Sequence, residues 1–259
     1  MLEHRILSTI KFFDCQNLPL TGFEVFSYLI SDNKLEQGVL QTDQLEEVLK
    51  NLDHLVAEAK LSEHYGYYFL PGKQSLVNDR LRGHLFGIIR ERRIRRYVKF
   101  LKFIPFVRGV ALSGSQAMGL EKQDSDIDLL IITQPGFLWT ARTLVTGFFQ
   151  ILGLRRHGRY ISNRFCLNHY ISGPKLLADG QNLYTALEYA KLRPLVYEES
   201  IRGFQLVNKP WIQKYFANVF GQFPKSYDYH QSLTQRFLEL ALNNRFGLWV
   251  EGRLSALEL

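Results

Sequence analysis

The sequence predicts an α+β protein built on a mixed sheet with flanking helices. Val107 to Ser113 and Asp126 to Thr133 are β-rich runs, Leu138 to Leu152 reads as a helix, and Phe165 to Ser172 is a further strand candidate. A strand, strand, helix, strand order implies a mixed sheet with helical cover. The residues before this block read as short helices closed by an aromatic hairpin, and those after it as helices.

Each element has a local reason. Leu2, Ile6, Leu7, Ile10 and Phe13 recur at helical spacing, and Pro19 breaks that run. Thr21-Gly22-Phe23-Glu24 is a capping-box pattern that opens a second helix through Ile30. Asp43 to Leu52 reads as a third helix with Leu45, Val48, Leu49 and Leu52 on one face. The aromatic run Tyr65 to Leu70, bounded by Pro71 and Gly72, predicts a strand or small hairpin. Three helices and a hairpin have the outline of a winged helix-turn-helix, here over residues 1–78. A basic helix from about Ser75 to Phe103 ends before Pro105, and residues 79–104 act as a linking helix. The sheet-bearing domain spans 105–175. Beyond Pro174, Leu183 to Tyr197, Trp211 to Phe220 and Ser232 to Leu259 read as helices, so 176–259 is expected to be a helical C-terminal region. The last helix runs to Leu259 without a cap signal, as a truncated chain would.

Composition narrows the class. Of the 259 residues 46% are hydrophobic and 22% charged, which excludes disorder or low complexity for the whole chain. Cys15 and Cys166 are too few and too far apart for a disulfide scaffold or a structural zinc site, which places the protein in a reducing cytoplasm. The start MLEHRILSTIKFF lacks a signal-peptide pattern. Phe137 to Leu154 carries Arg142 and Gln150 and reads as a buried helix, so no membrane contact is expected.

Charge is unevenly placed. Residues 1–79 carry net −6, residues 80–108 net +9 and residues 109–259 net +4. On the segment from Arg90 to Lys102, helical spacing puts Arg92, Arg95, Arg96, Lys99 and Lys102 on one broad face, with Ile94, Val98 and Leu101 opposite. That face is the candidate nucleic-acid contact. The winged-helix region is acidic, with Asp43, Glu46 and Glu47 against Lys50 in its expected recognition helix. Acids facing phosphates oppose DNA binding, so a protein-contact role fits better, and a homodimer is one expectation.

The stretch that carries chemistry is Leu112-Ser113-Gly114-Ser115, a gap of about ten residues, and Asp126-Ile127-Asp128-Leu129. It resembles the signature of the DNA polymerase beta-like nucleotidyltransferase superfamily, and in particular a minimal nucleotidyltransferase domain. The resemblance covers roughly Phe106 to Ser172. It implies that Asp126 and Asp128 are the catalytic, metal-holding residues, with Mg²⁺ or Mn²⁺ as the cation. It also implies that Gly114 and Ser115 bind the phosphates of an NTP substrate. The spacing suits this chemistry. Residues i and i+2 of a strand project together, about 6–7 Å apart along the chain. Such a pair can hold divalent cations that bridge phosphates. A glycine lets a triphosphate approach the backbone.

Active members of that superfamily usually carry a third carboxylate on a later strand. On Phe165 to Ile171, alternation groups Cys166, Asn168 and Tyr170 on one face and sets His169 on the other, which makes Asn168 the doubtful third position. An amide cannot take up a proton as a general base. Arg142, beside Trp139, is a candidate triphosphate clamp. Lys122 and the cluster Arg155, Arg156, His157 and Arg159 are further basic groups near the motif. The expected function is transfer of a nucleoside monophosphate from NTP to a hydroxyl of an acceptor, which could be RNA, a small molecule or a protein. The alternative is a catalytically inactive, nucleotide-sensing or antitoxin-like regulator with a winged-helix module.

Overall fold

A computed structural model describes residues 2–31, 44–119, 124–172, 180–219 and 231–258. The chain forms two compact units: Met1–Leu85 with Gly180–Ala190 and Lys209–Pro224, and Phe86–Asp179 with Lys191–Asn208 and Lys225–Leu259.

The first unit begins with α1 (Leu2–Asp14), β1 (Leu20–Thr21), α2 (Gly22–Ser27) and α3 (Leu45–Ala57), followed by β2 (Ser62–His64) and β3 (Tyr67–Phe69). The capping box forms as the sequence requires: Thr21 N donates to Glu24 Oε2 at 3.0 Å, and Glu24 N donates to Thr21 Oγ1 at 3.3 Å. The helix ends sooner than expected, with Tyr28 as its C-cap. Asp43 lies outside the described residues. The three strands pair antiparallel in the order β1-β3-β2. Tyr65 and Gly66 turn the hairpin with φ of 54° and 77°, the left-handed pair a two-residue turn needs. The hairpin therefore starts three residues before the aromatic run. Ile6, Ile10, Phe13, Val25, Val48, Leu52 and Leu55 are fully or almost fully buried in this unit.

α4 (Ser75–Val98) tightens into a 3₁₀ turn over Lys99–Phe103, so the expected single helix changes pitch before Pro105. In the second unit Ile94, Val98 and Leu101 enter the core, as their spacing demands. The sheet comprises β4 (Val107–Leu112), β5 (Ile127–Thr133), β6 (Phe165–Ser172) and β7 (Arg193–Val196), in the order β6-β5-β4-β7. β4 runs antiparallel to β5 and β7, while β5 and β6 are parallel. The parallel pair is joined through α6 (Leu138–Ile151), the crossover that parallel strands require. Ile127, Leu129 and Ile131 of β5 share one buried core with Ala141, Val145 and Phe149 of α6. On the other face α8 (Glu198–Ile212) approaches β4: a Cβ at Gly109 would lie 3.0 Å from Ile201 and 3.3 Å from Ser200.

The C-terminal third corrects the sequence reading. Leu183 to Tyr197 is not one helix. α7 (Leu183–Ala190) is followed by β7, and Pro194 sits on this edge strand, where a missing N–H is tolerated. The helix expected over Trp211 to Phe220 is instead the end of α8, which stops at Ile212. Ser232 to Leu259 is split into α9 (Leu233–Leu242) and α10 (Arg245–Glu258). The break has a local cause: Asn244 Oδ1 accepts from Gly247 N at 3.1 Å and caps the second helix. Residues 176–259 contribute segments to both units.

α9 and α10 are bound to the sheet unit through polar side chains. Gln235, fully buried, donates to the carbonyls of Ile104 at 2.9 Å and Val107 at 3.0 Å. Glu239 accepts from Phe106 N and Arg108 Nη1, each at 2.7 Å. Burial alone would raise the pKa of Glu239, but the hydrogen bonds from Arg108 and the Phe106 amide hold it below the ordinary value. Glu251 accepts from the amides of Trp139 and Thr140, both at 2.8 Å, and from Thr140 Oγ1 at 2.7 Å. The N-terminus of α6 has no side-chain cap of its own, so Glu251 supplies one from another helix. Glu251→Ala should therefore lower stability by about 1–2 kcal/mol in urea unfolding, while Glu251→Gln should retain part of it. No helix among the described residues is long and apolar enough to cross a membrane.

Candidate active site

The site is assembled where β4 and β5 meet. β4 ends at Leu112, and Ser113 N donates to Asp128 O at 3.0 Å, which holds the next turn against β5. Gly114 then adopts φ +64° and opens α5 (Gly114–Ala117). A Cβ on Gly114 would lie 2.4 Å from Asp128 Oδ2. The two halves of the sequence motif are therefore in contact, and only a glycine permits that approach. Ser115 is partly exposed beside it.

Asp126 and Asp128 stand at the entrance to β5. The backbone of Asp128 belongs to the sheet, while its carboxylate projects from the face opposite Ile127 and Leu129. Asp126, Asp128 and Cys166 bring their ligand atoms within 4.8 Å of one another. The pairing of β5 with β6 explains the third member: Asp128 is registered against Cys166. Cys166 is buried, and its Sγ lies within 4.8 Å of the Asp128 carboxylate.

These groups perturb one another. Burial, and then the negative charge of Asp126, raise the pKa of Asp128 above the ordinary carboxylate value. Burial and the Asp128 hydrogen bond push the Cys166 thiol up to about 11. Arg156 Nη1 lies 2.5 Å from Asp126 Oδ2 and 3.9 Å from Cys166 Sγ. Arg156 is held there by its own backbone, since its N–H donates to Phe165 O at 2.9 Å. Asp126 is thus paired with a cation on the loop that leads into β6.

Several expected site residues lie elsewhere. Asn168 is exposed and has no registered partner on β5. The reason is a bulge: β5 advances two residues from Asp128 to Leu130 while β6 advances three, from Cys166 to His169. The bulge breaks the alternation that points to Asn168. It also moves His169 to the face of Asp128, opposite to the expectation for it. Burial pushes the pKa of His169 down. Arg142 lies over Trp139 at 5.2 Å and Tyr170 at 5.6 Å. Tyr170 is registered against Ile131, on the other face of the sheet from Asp128. Arg142 thus stacks on a ring of the sheet face opposite Asp128. Lys122 lies outside the described residues.

The basic helix divides into two kinds of arginine. Arg92, Arg95, Arg96 and Lys99 are at least partly exposed. Arg95 pairs with Glu91 at 2.7 Å, and Glu91 also pairs with Arg193. Arg90 differs from these, because it is 6% exposed and buried behind the motif. Its Nη1 donates to Ser125 Oγ at 2.8 Å. With the Gln116 amide oxygen turned toward it, that oxygen accepts from Arg90 Nη1 at 2.7 Å. Arg90 therefore ties α4 to both halves of the motif and is removed from the surface offered to a nucleic acid. Arg90 and Cys166 are site residues to which the sequence assigns no such role, while Arg156 stands in it only as one of a basic cluster near the motif. A single arginine in a basic run carries no mark of burial, and Cys166 is paired with Asp128 only through strand register.

A four-stranded mixed sheet with flanking helices and an acidic pair at a strand entrance fits a nucleotidyltransferase-like fold. The family model for the nucleotidyltransferase domain matches residues 92–158, about a quarter of the chain. The match takes in the Gly-Ser turn, both aspartates and Arg156, and it supports the nucleotidyltransferase superfamily for this segment. No curated protein and no solved structure matches the chain.

Proposed function

We propose that the chain is a divalent-cation-dependent nucleotidyltransferase that moves a nucleoside monophosphate from NTP to a hydroxyl of an acceptor. The observation that carries this reading is the contact of Gly114 with Asp128 inside a segment that matches the nucleotidyltransferase domain family. The residues suit a cation: two carboxylates and a thiol lie within reach of one ion. Asp126 and Asp128 hold it. A cation bound there, Mg²⁺ or Mn²⁺ with the phosphates of the substrate, neutralises charge on the transferring phosphoryl group. Gly114 brings the turn against the Asp128 carboxylate, and the partly exposed Ser115 hydroxyl donates to phosphate oxygens beside it. Arg156, beside Asp126 at the edge of the cluster, would offer its guanidinium to the triphosphate. The exposed face of Arg92, Arg96 and Lys99 raises the local concentration of anions, nucleotide or nucleic acid, near the site.

The N-terminal residues are read as a winged-helix module, which the order of three helices and the β1-β3-β2 sheet support. The acidic balance of residues 1–79 favours a protein contact for it over DNA.

A second reading, a nucleotide-binding regulator without turnover, is favoured by one feature. Among the described residues, the acidic cluster contains Cys166 where a third carboxylate would serve as general base. The test is calorimetry of each of the four NTPs with and without Mg²⁺, on the wild type and on Asp126→Ala with Asp128→Ala. Metal-dependent binding that disappears in the double variant is the expected result. Folded protein that binds no NTP sinks both readings. Binding without pyrophosphate release across a panel of RNA, small-molecule and protein acceptors favours the second.

A further inference from the structure

We infer that the nucleotide-free protein binds a thiophilic divalent cation of the zinc class through Asp126, Asp128 and Cys166 together. The inference rests on the metal centre of the transferase reading and adds the class of cation that this donor set selects.

The argument is one of donor chemistry. Mg²⁺ takes an all-oxygen octahedron and keeps several waters, so it binds through one or two carboxylates with substrate phosphates. Sulfur contributes nothing to such a site. Zn²⁺ and Cd²⁺ accept carboxylate oxygen and cysteine sulfur in one tetrahedral shell. The cluster offers two oxygens and one sulfur within 4.8 Å of one another, a separation that small side-chain rotations close to a common ligand sphere. Water or a phosphate oxygen completes the fourth position, the arrangement of an open zinc site.

The position of Cys166 is fixed by the fold. It is the registered neighbour of Asp128 across a parallel strand pair, and its Sγ lies within 4.8 Å of that carboxylate. Its Sγ is also within 3.9 Å of Arg156 Nη1, so the cation that sits beside Asp126 in the free protein reaches the sulfur as well. Arg156 marks the place where positive charge is favoured, and a divalent ion replaces it there. Cys15, the other cysteine, belongs to the first unit and is exposed. Two ion occupancies follow. Without nucleotide the three side chains hold a zinc-class ion, and with NTP the two carboxylates and the phosphates hold Mg²⁺.

The test uses the full chain carrying Cys15→Ser, titrated with Cd²⁺ without nucleotide. The readout is the ultraviolet thiolate-to-cadmium band, and calorimetry with Zn²⁺ runs in parallel. The expected result is a band that saturates at one ion per chain and is lost in both Cys166→Ser and Cys166→Asp. Zn²⁺ affinity should fall by at least about tenfold in Cys166→Ser. Circular dichroism establishes that each variant is folded, and Cys166→Asp keeps the test valid should Cys166→Ser unfold. A wild-type chain that binds NTP with Mg²⁺ but shows no cadmium band overturns this inference and leaves the transferase reading standing. A band that persists in a folded Cys166 variant also overturns it. A band lost in the variants, from a chain that binds no NTP, supports the cation site and sinks the transferase reading.

Discussion

Asp128→Asn should remove metal-dependent NTP binding while making the metal-free protein more stable at neutral pH. The loss follows from the loss of a charged ligand. A cation at a phosphate contributes several kcal/mol, so affinity should fall on the order of 10³-fold in calorimetry with Mg²⁺. The gain follows from the environment of the carboxylate. Burial raises the pKa of Asp128, and the charge of Asp126 raises it further. The folded chain therefore holds this proton more tightly than the unfolded chain does. The contribution of Asp128 to stability is full below the ordinary carboxylate value of about 3.9 and is lost as pH rises through the raised one. At neutral pH the ionised, half-buried carboxylate beside a second carboxylate opposes folding. Asparagine removes that charge at nearly the same volume and keeps an acceptor oxygen. The unfolding midpoint in urea should thus rise at pH 7, and the gain should shrink as pH falls into the carboxylate range. An unchanged midpoint at pH 7 would show that Asp128 bears no such strain, and would remove the argument that the site trades stability for ligand binding.

The parts of this site that are legible in the sequence share one property: their partners are local. The Gly114-Ser115 turn and the Asp126-Ile127-Asp128 alternation need only neighbouring residues to be recognised, and the structure places them against each other. The capping box at Thr21 and Glu24 is local in the same sense. What is not legible depends on register between distant segments. Cys166 lies beside Asp128 because β6 pairs in parallel with β5, and Asn168 lies away because β6 bulges just beyond Cys166. Strict alternation cannot foresee a bulge, since the extra residue reverses every assignment beyond it. Arg90 looks like its basic neighbours in the sequence, yet it is bonded to Gln116 and Ser125. Pro194 reads as part of a helix because an edge strand has too little apolar alternation to announce itself over four residues.

Gly114→Ala should both destabilise the second unit and remove NTP binding. Two separate costs combine. A non-glycine residue at φ +64° is strained by about 1–2 kcal/mol. The new Cβ would also lie 2.4 Å from Asp128 Oδ2, 3.1 Å from its Cγ and 3.2 Å from its Cβ. Rotating the carboxylate relieves only the first of these contacts, so backbone must shift as well. Forced overpacking of this kind adds about 1–3 kcal/mol. The expected total is about 2–5 kcal/mol in urea unfolding, together with loss of NTP binding, because the carboxylate that moves is a proposed metal ligand. Gly119 provides the control. It adopts φ +76°, but a Cβ there meets nothing within 4 Å. Gly119→Ala should therefore show the backbone cost alone and leave nucleotide binding in place. The difference between the two variants measures the contact with Asp128. That contact can be isolated further in a double-mutant cycle, since residues in contact couple by about 0.5–3 kcal/mol. With Asp128→Ala as the second change, Oδ2 and Cγ are gone, and Gly114→Ala should then cost little more than Gly119→Ala. A Gly114→Ala penalty that is the same in both backgrounds would mean that the turn is held by its own backbone geometry, and that its closeness to Asp128 contributes nothing to the fold.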